Sequence, residues 1–299
     1  MKNVLGLQRV TKDFGRGRGI FDISFTVQSG EVFGYLGPNG AGKSTTIRQL
    51  MGFIRPDSGS CTIGGRDCFE QAALLHRKVG YLPGEIAFLE EMTGIAYLKF
   101  MAQLRELEDT ARMKQLIERF ELDPSGKIRK MSKGMKQKIG LICAFMGAPQ
   151  VLILDEPTSG LDPLMQKRFW ELILEEKKRG STIFMSSHIF EEVEKTCDRT
   201  AIIRDGRLMD IVDMASLGQI RNKVYTFTFS DEAAARRAAG ADGIAVREIN
   251  GNRLSLLVQS GLPQLLNTMA GYQPTDLSVT SQSLEELFLQ YYGKGENEN

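Results

Sequence analysis

The sequence predicts an α/β fold with a mixed sheet, a β subdomain and a helical insert, followed by a small α+β domain. Three observations predict it. The glycine-rich stretch GPNGAGKST (37–45) lies between the apolar, β-prone EVFGYLG and the helical STTIRQLMGF, giving the order strand, loop, helix. VLIL (151–154) is a continuous β-prone run, the pattern of a parallel strand buried on both faces, and two carboxylates follow it. Beyond residue 216 the pattern becomes strand, helix, hairpin, helix, strand, the βαββαβ order of a ferredoxin-like domain. With 299 residues, the chain is long enough for two cores.

The 37–45 stretch fits the phosphate-binding pattern G-x-x-x-x-G-K-[ST], with Gly37, Gly42, Lys43 and Ser44 at the fixed places. Pro38, Asn39, Gly40, Ala41 and Thr45 complete the loop. Glycines let successive backbone N–H groups turn inward around a phosphate chain. Lys43 can then reach the β- and γ-phosphates, and the Ser44 hydroxyl is placed to ligate Mg²⁺. The helix that follows points its positive end at the same phosphates. Asp155 and Glu156 stand at the C-terminal end of the 151–154 run, where open α/β sheets bind ligands. Asp155 is expected to hold Mg²⁺, largely through its water shell, and Glu156 to orient and deprotonate an attacking water.

Taken in order, the chain opens with two strand segments, VLGLQRVTKDFG and IFDISFTVQSGE, around the turn GRGRG. Phe14, at the loop end of the first, could stack on adenine or serve as a core or turn aromatic. After the loop helix, turns at Pro56-Asp57 and Gly64-Gly65 bracket a short β segment, and VGYL is a strand stopped by Pro83 and Gly84. Helical spacing over 93–120 places Leu98, Met101, Leu104 and Leu107, then Met113, Leu116, Ile117 and Phe120, on one side; this is the insert, about 86–148. Ser132 is a good N-cap, and the helix after it starts with Lys133, Lys136 and Lys138. Cations there oppose the helix dipole, which either hints at an anionic partner or marks a solvated face. The helix QKRFWELILEEKKRG and the strand STIFMSSH bring His188 to a strand end, where it could bond a γ-phosphate or be structural. RTAIIRDG and RLMDIV form a hairpin at Asp205-Gly206. The second domain then runs from 216 to 299, with a hairpin turning at Asn250-Gly251. SLEELFLQYYG reads as a terminal amphipathic helix and KGENEN as a polar tail.

Composition excludes several classes. There are 38 basic and 37 acidic residues, so nothing draws the chain in bulk toward nucleic acid or anionic lipid. The four cysteines show neither C-x-x-C nor zinc spacing and read as reduced, structural thiols of a cytosolic protein. MKNVLGLQRV lacks a signal-peptide core, and the apolar stretch IGLICAFMGA falls short of the ~20 residues that span a bilayer. A membrane role is therefore expected to come through a partner.

These segments stand in the order found in ATP-binding cassette (ABC) ATPases, which the chain resembles from its start to about residue 215. GPNGAGKST is similar to the Walker A motif and VLILDEP to Walker B. MSKGM (131–135) resembles the family signature, SGLD (159–162) the D-loop, His188 the switch histidine and Phe14 the A-loop aromatic. The small second domain resembles that of ATPase subunits from drug and antibiotic exporters with a separate permease. The resemblance implies a P-loop ATPase using ATP and Mg²⁺, peripheral to the cytoplasmic face of the membrane, that closes head to tail as a homodimer. Lys43, Glu156 and His188 would serve hydrolysis. Ser132 and Gly134 would touch the γ-phosphate held by the partner, and the insert would pass closure to the permease.

Three positions depart from the family pattern: Lys133 stands for a signature glycine, Met135 for its glutamine, and Gly84 for the Q-loop glutamine. Glu85, just after, can offer the missing oxygen to the metal side while Gly84 acts as hinge; the alternative is a solvated or salt-bridged Glu85. The competing functions are a soluble cassette protein acting on nucleic acid or ribosomes, and an import ATPase. No long heptad insert, no second cassette and no basic balance support the first, and the second domain disfavours the other.

Overall fold

The structure, a computed structural model, describes residues 3–216, 223–241, 244–258 and 262–281. The terminal helix and polar tail expected over 283–299 lie outside the described residues. The chain divides into two compact units, Met1–Met214 and Ala215–Asn299.

The first unit is built on a six-stranded sheet of order β10-β9-β3-β8-β7-β6. Its strands are β3 (Val32–Leu36), β6 (Val79–Leu82), β7 (Val151–Asp155), β8 (Thr182–Ser187), β9 (Arg199–Arg204) and β10 (Arg207–Asp213). All neighbours are parallel except the β9–β10 hairpin. β3, β7 and β8 are buried almost throughout because both faces are covered, which is why they read as unbroken apolar runs. Alternate residues feed two cores. Val32 and Leu36 face the helical side, with Phe145, Phe169 and Met185; Phe33 and Tyr35 face the β subdomain, with Phe25 and Phe184. There the rings of Phe25, Phe33 and Phe184 stack with centroids 5.1–6.1 Å apart.

That subdomain is a four-stranded antiparallel sheet, β2-β1-β4-β5, of β1 (Asn3–Asp13), β2 (Gly19–Gln28), β4 (Ser58–Ile63) and β5 (Arg66–Asp67). Helix α1 (Lys43–Leu50) follows β3 after the 37–42 loop, and α2 (Ala72–His76) leads into β6. The insert holds α3 (Gly94–Leu104), capped by the Thr93 side chain, α4 (Ala111–Arg119), a short 3₁₀ turn (Ile128–Lys130) and α5 (Lys133–Phe145). Leu98, Met113, Leu116 and Phe120 pack into the helical-side core, as their spacing requires. Helices α6 (Pro163–Lys178) and α7 (Phe190–Thr196) flank β8. No described helix is long and apolar enough to cross a membrane.

In the second unit, β11 (Lys223–Thr228), α8 (Glu232–Ala239), β12 (Val246–Asn250), β13 (Arg253–Val258), α9 (Leu262–Ala270) and β14 (Asp276–Ser281) form a sheet of order β12-β13-β11-β14. Every pair is antiparallel, the ferredoxin-like arrangement, over a core that includes Phe227, Phe229, Leu254, Leu256 and Met269.

Candidate functional site

The strand order assembles the site. β3, β8, β7 and β6 are successive neighbours, so the loops leaving their C-terminal ends lie side by side, where parallel sheets bind ligands. Register sets Leu36 against Ser187 and Asp155 against Ser186.

After β3 the chain makes the phosphate loop. Gly40 and Gly42 take φ of +83° and +102°, backbone that favours glycine, and a Cβ on Gly37 would stand 2.3 Å from the Ile203 carbonyl. The first bond of α1 is Thr46 N–H to Gly42 O at 3.0 Å, so the amides of residues 43–45 precede the helical ladder and face forward. Lys43 is buried, and its Nζ donates to the Gly37 and Pro38 carbonyls at 2.8 and 3.0 Å. A pocket of about 240 Å³ opens here, lined by Asn39, Gly40, Gly42, Lys43, Ser44, Thr45 and Glu156.

Asp155 is 4% exposed and accepts a 2.5 Å hydrogen bond at Oδ1 from the Ser186 hydroxyl, which in turn accepts from the Glu156 N–H at 3.0 Å. Glu156 has φ +47°, a left-handed turn uncommon for a side chain of this size. That turn aims its carboxylate across the pocket: Oε1 lies 3.3 Å from Lys43 Nζ, and Oε2 lies 3.3 Å from His188 Nδ1. One carboxylate thus joins the loop after β3 to the loops after β7 and β8.

Lys43, Ser44, Asp155, Glu156 and His188 therefore come together as their motifs suggest. Beyond the phosphate loop and these residues, the four remaining expected residues are not among those lining the pocket. Phe14 is 49% exposed just after β1, with Lys12 Nζ 6.0 Å from its ring. Ser132 caps α5, its hydroxyl accepting from the Met135 N–H at 3.2 Å, and Gly134 packs so tightly that a Cβ would meet the Gly160 carbonyl at 2.7 Å. Glu85 is exposed on the turn after β6, whereas a Cβ on Gly84 would lie 3.0 Å from Asp155 Oδ2. The glycine lets that turn pass against the carboxylate.

Sequence reasoning missed three supports. Ser186 orients Asp155; Gln137 of α5 donates to the Pro157 carbonyl at 2.8 Å and steadies the loop of Glu156; Thr46 bonds Tyr35 Oη at 3.1 Å beneath α1. The doubled serine before His188 was the one local signal for the first.

Residues 20–159 match the family model described as ABC transporter, and 126–194 also match one described as AAA domain, putative AbiEii toxin, Type IV TA system. The chain is 32% identical to the uncharacterized ABC transporter ATP-binding protein YhcH of Bacillus subtilis, covering 100% of this chain and 99% of the relative. It is 31% identical to the bacitracin transport ATP-binding protein BcrA of Bacillus licheniformis, over 99% of each. It is 33% identical to the linearmycin resistance ATP-binding protein LnrL of B. subtilis, over 97% of this chain and 99% of that one. A solved ATP-binding subunit of an ABC transporter superposes with a TM-score of 0.65 at 27% identity, covering 89% of this chain and 99% of its own. A dimeric ATP-binding cassette bound to ADP and Pi, at 19% identity and TM-score 0.63, shares the fold over 70% of this chain and 98% of its own. With relatives aligned end to end, and a phosphate loop whose Lys43 meets Glu156 and through it His188, the chain belongs to the ABC transporter family as an ATP-binding subunit, an ATPase.

Proposed function

We propose that this subunit hydrolyses ATP for an export complex, closing as a head-to-tail homodimer and driving a separate membrane permease from the cytoplasmic face. The observation that carries the hydrolytic part is the Glu156 carboxylate, held at 3.3 Å from both Lys43 and His188. Lys43 binds the β- and γ-phosphates, the amides opening α1 cradle them, and Glu156 takes the proton of the attacking water, with His188 helping to hold that water. Phe14 and Glu85 would add contacts at the rim, to the base and to the metal side.

Ser44, exposed on the pocket wall, and Asp155, with Oδ1 fixed by Ser186, fit Mg²⁺ as one hydroxyl and one oriented carboxylate, the rest being water and phosphate. They would hold the ion, which would supply neutralisation of charge on the transferred phosphoryl group. In the dimer, Ser132 and Gly134 would meet the partner's γ-phosphate. Their place at the start of the 13-residue helix α5, away from the pocket of their own chain, supports that reading.

Export rests on relatives named for bacitracin transport and linearmycin resistance and aligned over both units. We assign residues 1–215 to the cassette, with the insert at about 86–148, and 216–299 to an accessory domain. The test is Glu156→Gln, which keeps size and hydrogen bonding but loses the base. The variant should bind Mg·ATP, lose at least ~100-fold in turnover and run as an ATP-dependent dimer on a sizing column. Turnover at the parent rate would remove Glu156 as the base.

A further inference from the structure

Glu192 lies on α7, four residues beyond His188, and is 1% exposed. None of the hydrolytic roles above uses it. Its Oε2 accepts a 2.5 Å hydrogen bond from the Ser187 hydroxyl, while Oε1 has no hydrogen-bond partner. The Ser187 hydroxyl also accepts from the Ile189 N–H at 2.9 Å, and the Ser187 carbonyl accepts from the Gly37 N–H at 3.2 Å. The Ser187 hydroxyl thus closes a turn over His188 through Ile189, and that hydroxyl is held by Glu192. The buried hydroxyl of Thr158, on the loop that carries Glu156, acts on the same carboxyl. A side chain with only packing to do would be apolar here, because an incompletely paired buried carboxyl is costly.

We propose that Glu192 is a positioning residue of the hydrolytic site, holding through Ser187 the turn that presents His188 to Glu156. The inference rests on the reading of Glu156 and His188 as hydrolytic residues. Burial pushes the Glu192 carboxyl up to about 7 against the pull of the Ser187 and Thr158 hydroxyls, and the Glu156 carboxylate adds to the rise. Around it, β8 and its turn supply Ser187, the loop after β7 supplies Glu156 and Thr158, and α7 itself supplies Thr196, whose hydroxyl donates to the Glu192 carbonyl at 2.6 Å. The neutral acid and the ion can both accept from Ser187. Only the ion places a second negative charge behind Glu156.

The test is steady-state hydrolysis of Mg·ATP by the full chain between about pH 5.5 and 9, with kcat and KM separated. Glu192→Ala releases Ser187 and should lower kcat about tenfold, with KM changed less than about twofold. Ser187→Ala should match it, and the double variant should fall no further than either single. Glu192→Gln keeps an acceptor for Ser187 without the charge. It should hold kcat within about threefold of the parent at pH 8 and leave the profile below pH 7, where the parent carboxyl is itself neutral, unmoved. Parent kcat in Glu192→Ala would overturn the proposal. So would Gln falling as far as Ala, or strictly additive losses in the double variant. Should Glu192→Ala fail to give a cooperative melt, the Gln variant and Ser187→Ala decide by the same readings. Failure of the underlying reading shows separately, as parent turnover in Glu156→Gln.

Discussion

Lys43 is buried, and its Nζ sits among three oxygens, those of Gly37, Pro38 and Glu156. A charge held so close to carbonyls is at the distances it needs for phosphate oxygens, and charge-assisted contacts dominate phosphate recognition. Lys43→Ala should therefore reduce ATPase activity by roughly 10²-fold or more and weaken nucleotide binding; a fluorescent-nucleotide titration checks the second part. Glu192 carries a different consequence. Its folded carboxyl stands near 7, above the usual 4.5, so the fold favours the protonated form. The sign follows: stability is full below about pH 4.5, falls as pH rises toward 7, and levels off above. At about 1.4 kcal/mol per tenfold change in proton affinity, the loss reaches roughly 3 kcal/mol. Glu192→Gln should abolish that loss, so its stability relative to the parent should rise by roughly 2–3 kcal/mol between pH 5 and pH 8 in urea denaturation. A difference that stays flat with pH would show that the carboxyl is not titrating in this range.

Among the elements, the bond between the insert and the core is concentrated on α4 and α6. Arg112 of α4 donates Nε to the Phe145 carbonyl at 3.0 Å and pairs its guanidinium with Glu176, which is 1% exposed and also meets Arg179 at 3.1 Å. One turn or two further on, Arg119 pairs with Glu175 at 2.6 Å, but that carboxylate is largely exposed. Burial should separate the two. Arg112→Ala leaves the buried Glu176 carboxylate with Arg179 as its one cation among the described residues and should destabilise by roughly 2 kcal/mol, whereas Arg119→Ala should cost less than about 1 kcal/mol. Thermal melts of the two variants check the order, and equal shifts would count against it. Little of this clamp is legible in the chain. Spacing over 93–120 located the helices, yet not the break between them, where Glu106 takes φ +55°. The same limit applied at the site. Lys43, Ser44, Asp155 and Glu156 are legible because each sits in a short local motif whose spacing the chemistry dictates. Ser186, Gln137 and Glu192 are not, since their roles arise only when β7 pairs with β8 and α5 and α7 close over the loops.

For the whole molecule, the nucleotide pocket and both of its supporting cores lie within Met1–Met214, while the second unit closes a core of its own around Phe227, Leu254 and Met269. The βαββαβ order was legible because each strand is short, alternating and bounded by turn residues. Coverage was harder to foresee. Leu277 and Val279 pair with Phe227 and Tyr225 and so share their face of the sheet, yet both are exposed on the edge strand β14. A compact unit that closes its own core should fold separately. A chain ending at residue 216 keeps every residue of the Lys43–Glu156–His188 line and the whole six-stranded sheet. It should melt cooperatively and bind Mg·ATP with a Kd within about threefold of the full chain. An insoluble or non-cooperative product would mean that the second unit completes the core of the first. A folded product that binds Mg·ATP but no longer forms the ATP-dependent dimer in the Glu156→Gln background would instead assign the second unit a part in dimer closure.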